Sequence, residues 1–175
     1  MKIIVWLGNP GKTYESTRHN VGFMMIEWMR MEFGGSEWQD SRFSGVISEG
    51  LYEWEKIVFL KPTTFMNLSW KSVREIVSYY KLDSTKDIII ISDDIDMDFA
   101  KVRVRRTGSH GGQNGLRDII EKLSHQDFAR VKIGIGRHEH MSVSDWVLSV
   151  FSSDELRELK EDVYPIVRNI IIDWI

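Results

Sequence analysis

The sequence predicts an α/β fold, a three-layer domain with helices on both faces of a sheet. Two observations carry this expectation. Apolar runs of strand length recur along the chain, as at Ile3 to Leu7 and Ile88 to Ile91, and helical-period stripes lie between them. The 175 residues, 42% hydrophobic and 28% charged, are enough for one substantial core and suit an ordered globular chain. The expectation is therefore one domain spanning residues 1–175.

The elements follow in order. Ile3 to Leu7 reads as a buried central strand. Val21, Met25, Trp28 and Met29 mark a helix that Gly34-Gly35 stops. Phe43 to Ser48 and Lys56 to Leu60 read as strands, with their turn near Glu49-Gly50. Val73, Ile76, Val77 and Tyr80 form one helical face. Ile88 to Ile91 is a fully buried strand by its β-branched run. Val102 and Val104 alternate with Lys101, Arg103 and Arg105, giving a strand with one apolar and one basic face. No helix-length crossover separates it from the strand at Ile91, so it is expected to pair antiparallel there. Leu116, Ile119, Ile120 and Leu123 mark another helix, Val131, Ile133 and Ile135 a further strand, and the stretch from Asp154 is helical.

Composition narrows the function classes. With no cysteine, the chain has no disulfide framework, no thiolate nucleophile and no cysteine-ligated zinc. The apolar run from Met1 to Leu7 is too short for a secretory or membrane segment, so a cytoplasmic location is the default expectation, with no membrane contact. Net charge is -3, but it is unevenly spread. Residues 101–137 hold nine Lys/Arg against three Asp/Glu, a net of +6, while the segment from His138 onward is net -5. Such asymmetry suits a phosphate-binding face, and equally a solvated charged surface.

Four polar segments sit at the edges of apolar elements, where α/β sheets gather their ligand sites. They are Gly8-Asn9-Pro10-Gly11, Thr63-Thr64-Phe65-Met66-Asn67, Asp93-Asp94-Ile95-Asp96 and Gly108 to Gly115. This placement allows all four to converge on one cleft. Gly11-Lys12-Thr13 is not a Walker loop, because Gly8 and Gly11 have two residues between them rather than four. The glycines of 108–115, Gly111 among them, leave backbone N–H groups open to a phosphate or an oxyanion, or simply make a turn. His19 reads alone as a cap or a packed side chain, and Asp93 and Asp94 alone as turn residues. A carboxylate paired with that histidine instead makes a general base. No serine lies in a nucleophile-elbow pattern, so water is the expected nucleophile. His138-Glu139-His140 shows no third ligand and reads as a solvated loop, so neither metal nor cofactor is expected.

Taken together the segments resemble the bacterial-type peptidyl-tRNA hydrolase family. The resemblance rests on Leu7 to Gly11 with Tyr14, Thr17 to Phe23, Lys61 to Ser69, Asp93 to Asp96, Gly108 to Arg117 and Arg130 to Gly136, in order, from Met1 to about Phe151. It implies a twisted mixed sheet flanked by helices, a usually monomeric enzyme, and hydrolysis of the ester joining a peptide to the 3′ end of tRNA. His19 matches the family's base and Asp93 the carboxylate that orients it. Asn9, Asn67 and Asn114 match the asparagines that hold the peptide and the 3′ end and position the water. Met66 and Tyr14 match cleft-lining residues. Arg103, Arg105 and Lys132 fall at or near positions that face the tRNA, at its acceptor stem.

The chain also departs from the family pattern. Trp6 and Trp70 stand where small residues are usual, Gln113 where histidine is frequent, and Asp98-Phe99-Ala100 where a turn with proline and glycine is usual. The C-terminal helical region is expected to be shortened. Trp70 and Gln113 are candidates to narrow the cleft or alter tRNA binding. Trp6, Trp70 and Gln113 keep open an alternative of another class, an RNA-binding paralogue with altered catalysis on the same fold. An NTP-binding protein is disfavoured by the Walker spacing.

Overall fold

The computed structural model describes residues 1–175. One seven-stranded mixed sheet organises them, made of β1 (Lys2–Trp6), β2 (Gln39–Asp40), β3 (Gly45–Tyr52), β4 (Glu55–Pro62), β5 (Ile88–Asp94), β6 (Val102–Arg105) and β7 (Ala129–Gly134). Their spatial order is β2-β3-β4-β1-β5-β7-β6. The four central strands β4, β1, β5 and β7 run parallel, and the two edges pair antiparallel.

The three layers follow from side-chain alternation. Along β1, Ile4 and Trp6 face one core, with Met25, Ile26 and Met29 of α1 (Val21–Glu32) and Val167 and Ile171 of α6 (Tyr164–Trp174). Ile3 and Val5 face the other, with Val73 and Ile76 of α2 (Ser69–Tyr80) and Leu116 and Ile119 of α3 (Asn114–Leu123). Trp6 is fully buried in the first core. Two short helices, α4 (Val143–Leu148) and α5 (Ser153–Glu158), precede α6.

Three expectations need correction. The β3–β4 turn is at Glu53-Trp54, since Tyr52 pairs with Glu55, and Glu49-Gly50 lie within β3. Glu53 takes φ 51° without being glycine or asparagine, so the turn leaves no composition signal. Strand β5 extends through Asp93 and Asp94 instead of ending at Ile91. β6 is antiparallel as expected, but its partner is β7, which inserts between β5 and β6. The connector 95–101 passes over the end of β7, with Ala100 N–H donating to Gly134 O and Gly134 N–H to Lys101 O. A Cβ on Gly134 would lie 2.0 Å from Asp98 O, so only glycine permits that crossing.

Candidate active site

The parallel pairing of β1 and β5 brings two of the polar segments together, because Trp6 is in register with Ile91 and both strands end at the same edge. Leu7 N–H continues the ladder to Ile91 O at 3.0 Å. The chain then turns back through residues 18–20 into α1, and Gly22 sits against both strands. A Cβ there would lie 2.9 Å from Leu7 O and 3.3 Å from Ile91 O. This close approach sets the 18–20 turn over the carboxyl end of β5.

His19 and Asp93 meet there. His19 Nδ1 is 2.7 Å from Asp93 Oδ2, and the two residues are 9% and 3% exposed. Burial pulls the imidazole pKa down, but the charge and hydrogen bond of Asp93 outweigh it, so His19 titrates above its usual 6.5. The carboxylate accepts the Nδ1 proton, which leaves Nε2 as the basic nitrogen.

Asn9 is fixed by a residue that sequence reading did not single out. Asn20 accepts from Asn9 N–H at 2.8 Å and donates to Asn9 O at 2.9 Å, and is 1% exposed. The Asn9 Oδ1 accepts from Met66 N–H at 3.1 Å. Since the oxygen is occupied, Asn9 has its Nδ2 group left to donate. Gln113, which caps α3, also meets the pair: its Nε2 lies 3.2 Å from Asp93 Oδ1.

A cleft of about 660 Å³ opens above these groups. Asn9, His19, Asp93, Asp94, Met66, Asn67, Gly111, Gln113 and Asn114 line it, so all four polar segments converge. Phe65 forms an apolar rim on one side, and Val143, Val147 and Leu148 of α4 another. Sequence reading missed α4, although Ser142 and Asp145 carried its signal: Ser142 Oγ accepts from Asp145 N–H as an N-cap. Arg18 holds this wall in place. Its guanidinium makes a bidentate pair with Glu155 at 2.8 and 3.0 Å and lies 3.8 Å over the Trp146 ring.

Other expected residues lie elsewhere. Tyr14 sits on the 12–14 turn and is not among the cleft's lining residues. Trp70 is outside too, in a surface groove between α2 and α3 with Lys71, Arg74 and Lys122, so it does not narrow the cleft. Arg103 and Arg105 are exposed on β6. They pair with Lys132 and Arg130, and so share the sheet face of the 108–115 loop. Lys132 is buried, 3.0 Å from Asp94 Oδ2, and is not part of the open basic surface. A Cβ on Gly111 would come within 2.7 Å of its Nζ. Arg130 is fully buried and ties the same loop, by donating to Gly108 O at 2.7 Å, to the segment before β7, by donating to Gln126 O at 2.6 Å. Burial, partly offset by Asp127, pushes its pKa down to about 10, so it remains a cation at neutral pH. His138 and His140 are exposed in a turn, and no group of three or more His, Asp or Glu side chains is placed to hold a metal ion.

An imidazole buried on a carboxylate, at the floor of a cleft supplied with amide donors, can deprotonate water beside a carbonyl. That is the chemistry of a hydrolase. Comparison with known proteins makes the class specific. The family model described as peptidyl-tRNA hydrolase matches residues 3–174. The peptidyl-tRNA hydrolase of Fusobacterium nucleatum subsp. nucleatum is 43% identical over 175 residues, covering 100% of this chain and 90% of that protein. That of Geobacter sulfurreducens is 46% identical over 158 residues, 90% of this chain and 81% of that protein. The crystal structure of peptidyl-tRNA hydrolase from Acinetobacter baumannii superposes with a TM-score of 0.85 at 34% identity, covering 97% of this chain and 83% of that one. The chain belongs to the peptidyl-tRNA hydrolase family.

Proposed function

We propose that this chain hydrolyses the ester between a peptide's terminal carboxyl and the 3′ oxygen of tRNA, with His19 as general base and Asp93 orienting it. The observation that carries the mechanism is the buried 2.7 Å contact between His19 Nδ1 and Asp93 Oδ2 at the floor of the cleft. His19 Nε2 takes a proton from water as the water oxygen attacks the ester carbonyl. Asn9 Nδ2, with its own oxygen committed to Met66, donates to the developing oxyanion. The tetrahedral intermediate collapses by breaking the bond to the 3′ oxygen, which takes the proton back from the imidazolium. The products are a free peptide acid and a free tRNA 3′ hydroxyl.

Asn67 and Asn114 face the peptide and the 3′ end, each able to donate and accept. Gly111 lets the 108–115 loop run close over the Lys132–Asp94 pair, which shapes the same wall. Met66 forms apolar lining beside Gln113. Arg103 and Arg105 take phosphates of the acceptor stem, a contact that ignores sequence and suits many tRNAs. Tyr14, outside the cleft, has no assigned contact in this scheme. We further propose a single-domain monomer working in the cytoplasm; no helix is long and apolar enough to cross a membrane. The alternative of an RNA-binding paralogue is not favoured. Trp6 is a core residue, Trp70 lies outside the cleft, and the His19–Asp93 pair is assembled.

The test is release of free tRNA from a peptidyl-tRNA by the purified protein and by His19→Ala. The expected loss in kcat is at least about 100-fold, with the fold retained, because His19 is a site residue and not a core one. Near-normal cleavage by the variant would remove the mechanism.

A further inference from the structure

The carboxylate that orients His19 is itself oriented, and the group responsible is Gln113. An aspartate turns easily about its last torsion, which is broad and roughly two-fold. One hydrogen bond to His19 through Oδ2 does not stop that rotation. The other oxygen, Oδ1, lies 3.2 Å from Gln113 Nε2. The two contacts together fix the carboxylate plane.

The direction of the Gln113 amide is also determined. Its Oε1 lies 2.7 Å from the backbone N of Leu116, which can only donate. Turning the amide over would set an NH2 group against an N–H and leave a helix donor unpaired. The nitrogen must therefore face Asp93. Its second hydrogen points to Met66 Sδ, 3.0 Å away. Both amide hydrogens are thus engaged, and the residue is 7% exposed. Gln113 has no donor left for the substrate, although it lines the cleft.

We infer that Gln113 is a positioning residue that locks the Asp93 carboxylate, and through it the His19 imidazole, to the N-terminal turn of α3. The inference rests on the reading of His19 and Asp93 as base and orienting carboxylate. It also joins two halves of the site. The residue that caps α3 precedes Asn114, so one side chain fixes both the base and the helix end that presents an asparagine to the cleft. A glutamine does this without adding a titrating group to a cleft that already holds His19, Asp93 and the Asp94–Lys132 pair.

Two variants separate this role from simple helix capping. Serine is a good N-cap but is too short to reach Asp93. Gln113→Ser is expected to keep its thermal midpoint within a few degrees, while kcat falls by about tenfold and KM changes little, the pattern of a lost transition-state alignment. Gln113→Glu sets a second carboxyl group against Asp93 Oδ1, and two carboxyl groups at that distance cannot both ionise, so the pair keeps a proton that bridges them as the amide hydrogen did. It is expected to hold kcat within about threefold of the wild type where that proton is kept, a rescue that Gln113→Ser does not show, and to lose it as pH rises and the proton leaves. Both are compared with the wild type and with His19→Ala, by tRNA release across pH. Wild-type kcat in Gln113→Ser, or the same loss of kcat in Gln113→Glu as in Gln113→Ser at every pH, overturns the inference while His19→Ala stays inactive. Activity in His19→Ala overturns the underlying reading instead.

Discussion

His19 is pulled in two directions. Burial favours its neutral form, and Asp93 favours its charged form more strongly, so its pKa stands above 6.5. A general base works only when deprotonated. The acid limb of kcat/KM should therefore lie above 6.5, with activity lost below it. Replacing Asp93 by asparagine removes the force that raises the pKa and leaves the burial that lowers it. For Asp93→Asn the acid limb should move to lower pH, while kcat drops by roughly 100-fold or more because the imidazole is no longer held in one tautomer. A pH-rate profile of the two proteins checks both signs, and an acid limb that stays in place contradicts the account. At this scale the sequence displays residues that the fold brings to the cleft, since His19, Asp93 and the three asparagines are polar positions beside apolar elements; the roles proposed for them come from the family resemblance. Asn20 and Gln113 do not stand out in this way, because their roles lie in which oxygen or nitrogen is already occupied, and that appears only when the segments meet in space.

The elements of the sheet were readable because buried parallel strands are nearly continuous apolar runs and helices repeat at 3.6 residues. The edges were less so. Nothing in residues 95–101 reveals that they arch over β7, since the strand that separates β5 from β6 comes later in the chain. The six residues of α4 are too few to show a helical period. This helix matters because it forms one wall of the cleft and depends on Arg18. Arg18 is 5% exposed and Glu155 partly so, which makes the pair stronger than a surface bridge and weaker than a fully buried one. Arg18→Met should cost about 2 kcal/mol in urea unfolding at neutral pH. It should also raise KM more than it lowers kcat, since the wall loosens while His19 remains. Burial tends to raise the Glu155 pKa, but hydrogen bonds from Arg18 and Ser152 and the Arg18 charge hold it below 4.5. That stabilisation is present above pH 4.5 and is lost as pH falls through the lowered value. The Arg18→Met protein should show less of this acid loss. Equal acid sensitivity in the two proteins would contradict the clamp.

At the scale of the molecule, the proposed docking of tRNA rests on where the positive charge lies. The +6 segment seen in the sequence is not all surface. Arg130 and Lys132 turn inward to support the 108–115 loop, and Arg137 pairs with Asp96. Lys101, Arg103, Arg105, Arg106, Arg117 and Lys122 remain exposed, carried by an otherwise acidic chain. The sequence displays the cluster but not its direction, because direction depends on which face of β6 and β7 turns to the core. Arg105→Ala should weaken tRNA binding and reduce the slope of log affinity against log salt by about one, with kcat unchanged. A binding affinity indifferent to salt would count against the basic face. The central claim is water attack on the peptide carbonyl, driven by His19. Its most direct test is cleavage of a peptidyl-tRNA in H2(18)O, with wild type and His19→Ala side by side. One labelled oxygen is expected in the released peptide's carboxyl, none in the tRNA 3′ hydroxyl, and almost no product from His19→Ala. Label in the tRNA, or labelled peptide formed at the wild-type rate by His19→Ala, would contradict that claim.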